Sequence, residues 1–143
     1  MAPANALAVE CKPLAFGALS VRIADDKLIA EAGGKVVARH QLPVVGSAWR
    51  CLKMRAFPNR RLLFVEWHGG EAGTSQMFHK ISLLAFTVKP DGIIPRGAWP
   101  LSQGYRGGGP EIVEADRTYR LEESQWSIDV VLEGLNRIPL ETE

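Results

Sequence analysis

The amino-acid sequence predicts an all-β protein, an antiparallel meander of about ten strands in a single domain, with at most one short helix. Three observations carry that expectation. Apolar runs of strand length recur along the chain. The joints between them are short clusters of Gly, Pro, Asn and Asp, the residues of tight hairpin turns. Nowhere does a helical stretch of crossover length separate two strands, which excludes a parallel sheet. The 14 glycines and 9 prolines are too few for a low-complexity chain and enough to divide 143 residues into many short elements.

Val9–Phe16 and Leu19–Ala24 read as the first two strands, separated by Gly17; in the second, Leu19, Val21 and Ile23 alternate as on a strand buried on one face. Asp25-Asp26 turns the chain into Lys27–Ala32, and Gly33-Gly34 turns it again into Lys35–Leu42. Trp49–Phe57 alternates apolar and basic residues, Pro58-Asn59 turns, and Arg60–Trp67 returns through Leu62-Leu63-Phe64-Val65, the clearest hairpin of the sequence. Met77–Val88 is the next long strand, followed by the turn Lys89-Pro90-Asp91-Gly92 and a short return through Ile93-Ile94. Pro110–Asp116 starts with proline and carries acids in its first turn, the pattern of a short helix. Thr118–Glu122 and Trp126–Leu132 make the last pair, with Arg137–Leu140 as an added edge strand. Irregularly spaced hairpins with Asp-Gly turns and aromatic strand ends resemble propeller blades of the WD-repeat kind, although no Gly-His or Trp-Asp signature recurs. At roughly 40–45 residues per blade the chain is too short for a full ring, so the expected shape is small and propeller-like, or a twisted sandwich.

The composition excludes several functions. A formal charge of +1 lacks the basic surplus that phosphate neutralisation requires, so nucleic acid is not an expected partner. No apolar run is long enough to span a bilayer, and no membrane insertion is expected. Residues 1–8 contain Ala4-Asn5-Ala6 and Ala6-Leu7-Ala8, both of the small-x-small form cut by signal peptidase. They read as the remnant of an export signal ahead of a β domain over 9–143, the alternative being an Ala-rich frayed terminus. The two cysteines, Cys11 and Cys51, fit one disulfide in an exported chain, the alternative being two buried thiols. Such a bridge closes a long loop and would stabilise by ~4 kcal/mol.

Catalytic patterns are sparse. His40, His68 and His79 have no zinc-ligand spacing, so no metal and no cofactor is expected. His68 and Ser75 share a polar loop without a nucleophile elbow, and His40 reads as a solvated strand-end side chain. Gly107-Gly108-Gly109 lacks the Gly-Lys-Ser/Thr step of a phosphate cradle. Trp49, Trp67, Trp99 and Trp126 fit either a sugar-stacking platform or the core. Two stretches, His68–Gln76 and Trp99–Pro110, are longer than a meander needs and read as loops. The second offers backbone N–H groups, a hydroxyl and a guanidinium, with Tyr105 and Arg106 of the types enriched at binding hot spots. The expected partner-binding residues are Ser102, Gln103, Gly104, Tyr105 and Arg106 there, and Glu71, Thr74 and Ser75 in the first.

The export-like terminus, the hairpin strands Leu62–Trp67 and Ile81–Phe86 with Pro90-Asp91-Gly92, the paired cysteines and the run Ser102-Gln103-Gly104-Tyr105-Arg106 give the whole chain a likeness. It resembles the periplasmic immunity proteins that neutralise type VI secretion amidase effectors. The resemblance implies a non-enzymatic protein that occupies the active-site cleft of a cysteine peptidoglycan amidase and protects the producing cell. It implies Ser102 as the residue reaching the partner's Cys-His pair, with Gln103, Tyr105 and Arg106 packed around it and Gly69–Ser75 as a second contact. The residues alone support an exported β scaffold with presented loops and no catalytic set, which a carbohydrate-binding module also fits.

Overall fold

The computed structural model describes residues 11–44, 48–72, 77–106 and 112–136. Ten antiparallel strands form two sheets: β1 (Leu14–Phe16), β2 (Leu19–Ala24), β3 (Lys27–Ala32) and β4 (Lys35–Gln41) make the smaller. The larger contains β5 (Ala48–Phe57), β6 (Leu62–Ala72), β7 (Met77–Lys89), β8 (Gly92–Arg106), β9 (Ile112–Glu123) and β10 (Ile128–Asn136). In both sheets sequence neighbours are sheet neighbours, as a meander requires. Glycine supplies the left-handed backbone of the β3–β4 turn, with φ of 59° at Gly33 and 82° at Gly34. Between β5 and β6, Pro58–Arg60 form a 3₁₀ turn that ends on Arg61 at φ 57°, its N–H bonded to the Pro58 carbonyl.

The larger sheet curls into a half-barrel, and the smaller sheet packs on one of its faces. Leu63, Val65 and Trp67 of β6 and Leu84, Phe86 and Val88 of β7 meet Phe16, Leu19, Val21, Leu28 and Ala30 from the smaller sheet. The intervening residues Phe64, Leu83 and Ala85 bury on the other face with Leu101. The continuous apolar runs of β6 and β7 are thus explained by burial on both faces. The Trp67 indole N–H donates to the Pro43 carbonyl at 2.7 Å. Cys11 and Cys51 form a disulfide, with Cα atoms 6.2 Å apart across 40 positions, joining the chain ahead of β1 to β5.

Antiparallel order gathers the joints at two ends. The β5–β6, β7–β8 and β9–β10 turns share one, called here the turn end. The strand ends Ala72, Met77, Arg106 and Ile112 lie at the other, the loop end. At the turn end Arg60 donates from Nε to Glu123 Oε2 at 3.0 Å and from Nη2 to the Ser124 carbonyl. Halfway along, the Tyr119 hydroxyl donates to Glu66 Oε2. β6 and β9 are not neighbours, so the Tyr119–Glu66 contact spans the curl, as do those that Arg60 of the β5–β6 turn makes with Glu123 and Ser124.

Several local expectations are corrected. Ile112–Asp116 is strand rather than helix, because pairing with β8 and β10 outweighs the acidic first-turn pattern. Trp99–Arg106 is strand rather than loop, as is His68–Ala72. The short return through Ile93-Ile94 is the start of the 15-residue β8. Its prolines concealed it: Pro95 and Pro100 lie beside register shifts opposite Ala85/Phe86 and Ile81/Ser82, where a ladder accommodates a residue without an N–H. The first strand begins at Leu14, β6 at Leu62 and β10 at Ile128, and Trp126 lies in the turn. His40 is half-buried, with its ring edge-on to Phe86 at 5.1 Å. Residues 1–10, 45–47, 73–76, 107–111 and 137–143, and with them Thr74, Ser75 and the Arg137–Leu140 strand, lie outside the described residues.

Candidate functional site

The concave face of the large sheet changes character along its strands. Strand alternation places Phe64, Glu66 and His68 of β6 on this face, with His79, Ile81, Leu83 and Ala85 of β7. From β8 come Trp99, Leu101 and Ser102, and from β9 Arg117, Tyr119 and Leu121. The turn-end half is apolar, with Phe57 and Leu62 packed against Phe64, and Ile128 and Val130 closing the other side. Toward the loop end the same rows become polar. The bulge opposite Ile81/Ser82 turns both Leu101 and Ser102 toward the interior, giving a hydroxyl to a row that period-two alternation reserves for one side chain.

Ser102 Oγ and His79 Nε2 are 2.9 Å apart in a half-buried hydrogen bond whose direction follows the imidazole tautomer. His68 lies two residues along β6 from Gly70, the position opposite His79, and faces Arg50 across the β5–β6 ladder. Burial pushes the His68 pKa below the ordinary imidazole value, and the charge on Arg50 and the His79 ring add to the effect. Arg117 grips the Pro100 carbonyl with Nε at 3.0 Å and Nη2 at 2.6 Å. Burial, reinforced by the Glu66 carboxylate, raises the Tyr119 phenol above its usual range, so it remains a donor to Glu66. Between these groups lies a pocket of 360 Å³, walled by Leu52, Ile81 and Leu101 and edged by Glu66, Ser102 and Arg117.

Of the expected partner-binding residues, Glu71 and Tyr105 share one register row, and Ser102, Gln103, Gly104 and Arg106 lie in other rows of β8. Glu71 pairs with Phe78, Phe78 with Tyr105, and Tyr105 with Ile112, so β6 to β9 carry Glu71 and Tyr105 across the loop end. Arg106 is the last residue of β8 and pairs with Met77; Gln103 pairs with Lys80, and Gly104 with His79. Ser102 is not at a loop tip. It sits four residues inside the strand end, with its hydroxyl on His79.

Glu66, His79, Arg117 and Tyr119 escaped sequence reasoning as a site. One signal was available: each stands in the apolar phase of its strand, as in Leu62-x-Phe64-x-Glu66 or His79-x-Ile81-x-Leu83, where a polar residue needs a partner. Among the described residues no group of three or more His, Cys, Asp or Glu side chains is arranged to hold a metal ion. No helix among them is long and apolar enough to cross a membrane. Comparison with protein-family models, curated proteins and solved structures gave no match.

Proposed function

We propose that this protein is an exported, non-enzymatic inhibitor that binds a protein partner. Its partner class is that of the immunity proteins it resembles: a secreted cysteine peptidoglycan amidase whose active site it occludes in the periplasm. The observation that supports the reading is the loop end, where Glu71 and Tyr105 share a register row through Phe78 and Arg106 follows in the next row opposite Met77, on strand ends far from the Arg60–Glu123 contact. The disulfide supports an oxidising compartment.

The contact is a strand end rather than a mobile loop tip, which reduces the conformational entropy lost on docking. Ser102 acts as a positioning residue, its hydroxyl fixing the His79 ring. A serine–histidine pair is also the beginning of a nucleophile–base arrangement, but among the described residues no carboxylate orients the second ring nitrogen. The carbohydrate-binding alternative gains no support from an aromatic platform. Trp67 is 2% exposed, Trp49 and Trp99 pack against the two cores, and Trp126 alone stands in solvent at 84%.

The test is calorimetry against the product of the neighbouring gene and a panel of cysteine peptidoglycan amidases, with amidase turnover as a second readout. The expected result is a stoichiometric complex of nanomolar affinity or better, with turnover abolished. Absence of binding to every amidase, or hydrolysis of peptidoglycan by this protein alone, would overturn the reading.

A further inference from the structure

We infer that the pocket on the concave face binds a small zwitterion, an amino acid or dipeptide with an apolar side chain. Its volume of 360 Å³ lies at the low end of ligand pockets, which span roughly 300–1,000 Å³. Its wall is apolar through Leu52, Ile81 and Leu101, contributed by three different strands. Opposite charges edge it from strands that are not neighbours, Glu66 on β6 and Arg117 on β9, and they are not paired with each other.

Each of these charges is fixed in place by a neutral group. Glu66 accepts the Tyr119 hydroxyl on Oε2, which holds the carboxylate without neutralising it. Arg117 uses Nε and Nη2 on the Pro100 carbonyl, an uncharged acceptor, which leaves the Nη1 edge of a full guanidinium charge. A ligand ammonium on Glu66 Oε1 and a ligand carboxylate on Arg117 Nη1 would compensate both charges at once. Lys53 is the register partner of Glu66 on β5 but forms no ion pair with it, so a ligand with one charge would leave one of the two pocket charges without a counter-charge in contact. Ser102 adds a hydroxyl already anchored by His79, and the apolar wall takes the side chain. The inference stands apart from the inhibitor reading, because its test contains no amidase.

The experiment is titration of the whole protein with leucyl-leucine, N-acetyl-leucyl-leucine and leucyl-leucinamide, followed by calorimetry and by chemical-shift changes of pocket residues. The free dipeptide is expected to bind, and each cap to weaken it about tenfold or more, the loss of one charge-assisted contact. Glu66→Gln keeps an acceptor for Tyr119 and should remove the preference over the acetylated form alone. Arg117→Gln should remove the preference over the amide alone. No binding of any probe, or equal binding of the three, overturns the proposal. The capped series on the unaltered protein decides the matter even where a variant does not fold.

Discussion

The two ends of the curled sheet are built from opposite principles. At the turn end, tight turns leave little chain to order, and Arg60 joins the β5–β6 joint to Glu123 and Ser124 beside the β9–β10 joint. Ser124 Oγ accepts from the N–H groups of Trp126 and Ser127 and completes the turn. At the loop end, polar side chains replace the apolar rows, and the Cys11–Cys51 bond fixes β5 in place. Non-covalent straps suffice where the chain reverses in a few residues. Where the sheet presents chemistry, a covalent bond adds to the packing of Trp49 and Cys51 against the core. The difference teaches that a binding surface can be left polar when its scaffold is held elsewhere.

The largest expected effect comes from removing that bond. The double change Cys11→Ala and Cys51→Ala should lower stability by about 4 kcal/mol in the loop-entropy model. Hydrogen exchange should rise first in Trp49–Leu52, while the turn end stays protected. Denaturant melts with residue-resolved exchange check this, and uniform loosening of both ends would break the comparison.

The next effect is on binding. Tyr105→Ala or Arg106→Ala should weaken the amidase complex by about 2 kcal/mol or more with the melting temperature unchanged. Trp126→Ala, at the turn end, should leave affinity alone despite its greater exposure. Calorimetry of the three variants decides which end carries the contact.

Arg60→Ala should be smaller, about 1 kcal/mol of stability, because its partners are largely solvent-exposed and such pairs are weak. Its signature is position: faster exchange at Ser124–Ile128 with the loop end unaffected. The smallest effect is the pH response of His68. Its pKa is lowered in the fold, so the native state binds fewer protons than the unfolded chain just below the ordinary imidazole value. Stability from this group is complete above that value and declines as pH falls toward the lowered one. Thermal melts across mildly acidic pH should show a slope that His68→Gln removes.

Much of this was legible in the sequence. Gly33-Gly34, Pro58-Asn59 and Pro90-Asp91-Gly92 fixed three turns because their backbone demands are local. The two cysteines pointed to their own pairing by number. β8 was not legible, since Pro95, Gly97 and Pro100 each argue against a strand when taken singly. The Ser102–His79 bond was hidden for a related reason. It depends on a bulge that moves Ser102 into the interior row, and the bulge is a property of two paired strands rather than of either alone.

By itself, then, the chain determined its class, its turns and the alternation that gives each strand two faces, because turn geometry and side-chain period act over a few residues. Only the tertiary structure decided which rows face each other across the curl. It set Glu66 against Tyr119, Arg60 against Glu123 and Ser102 against His79, contacts between residues 53, 63 and 23 positions apart. Such pairs follow from register and curvature, which sum the packing of the whole sheet and leave no mark within any one strand.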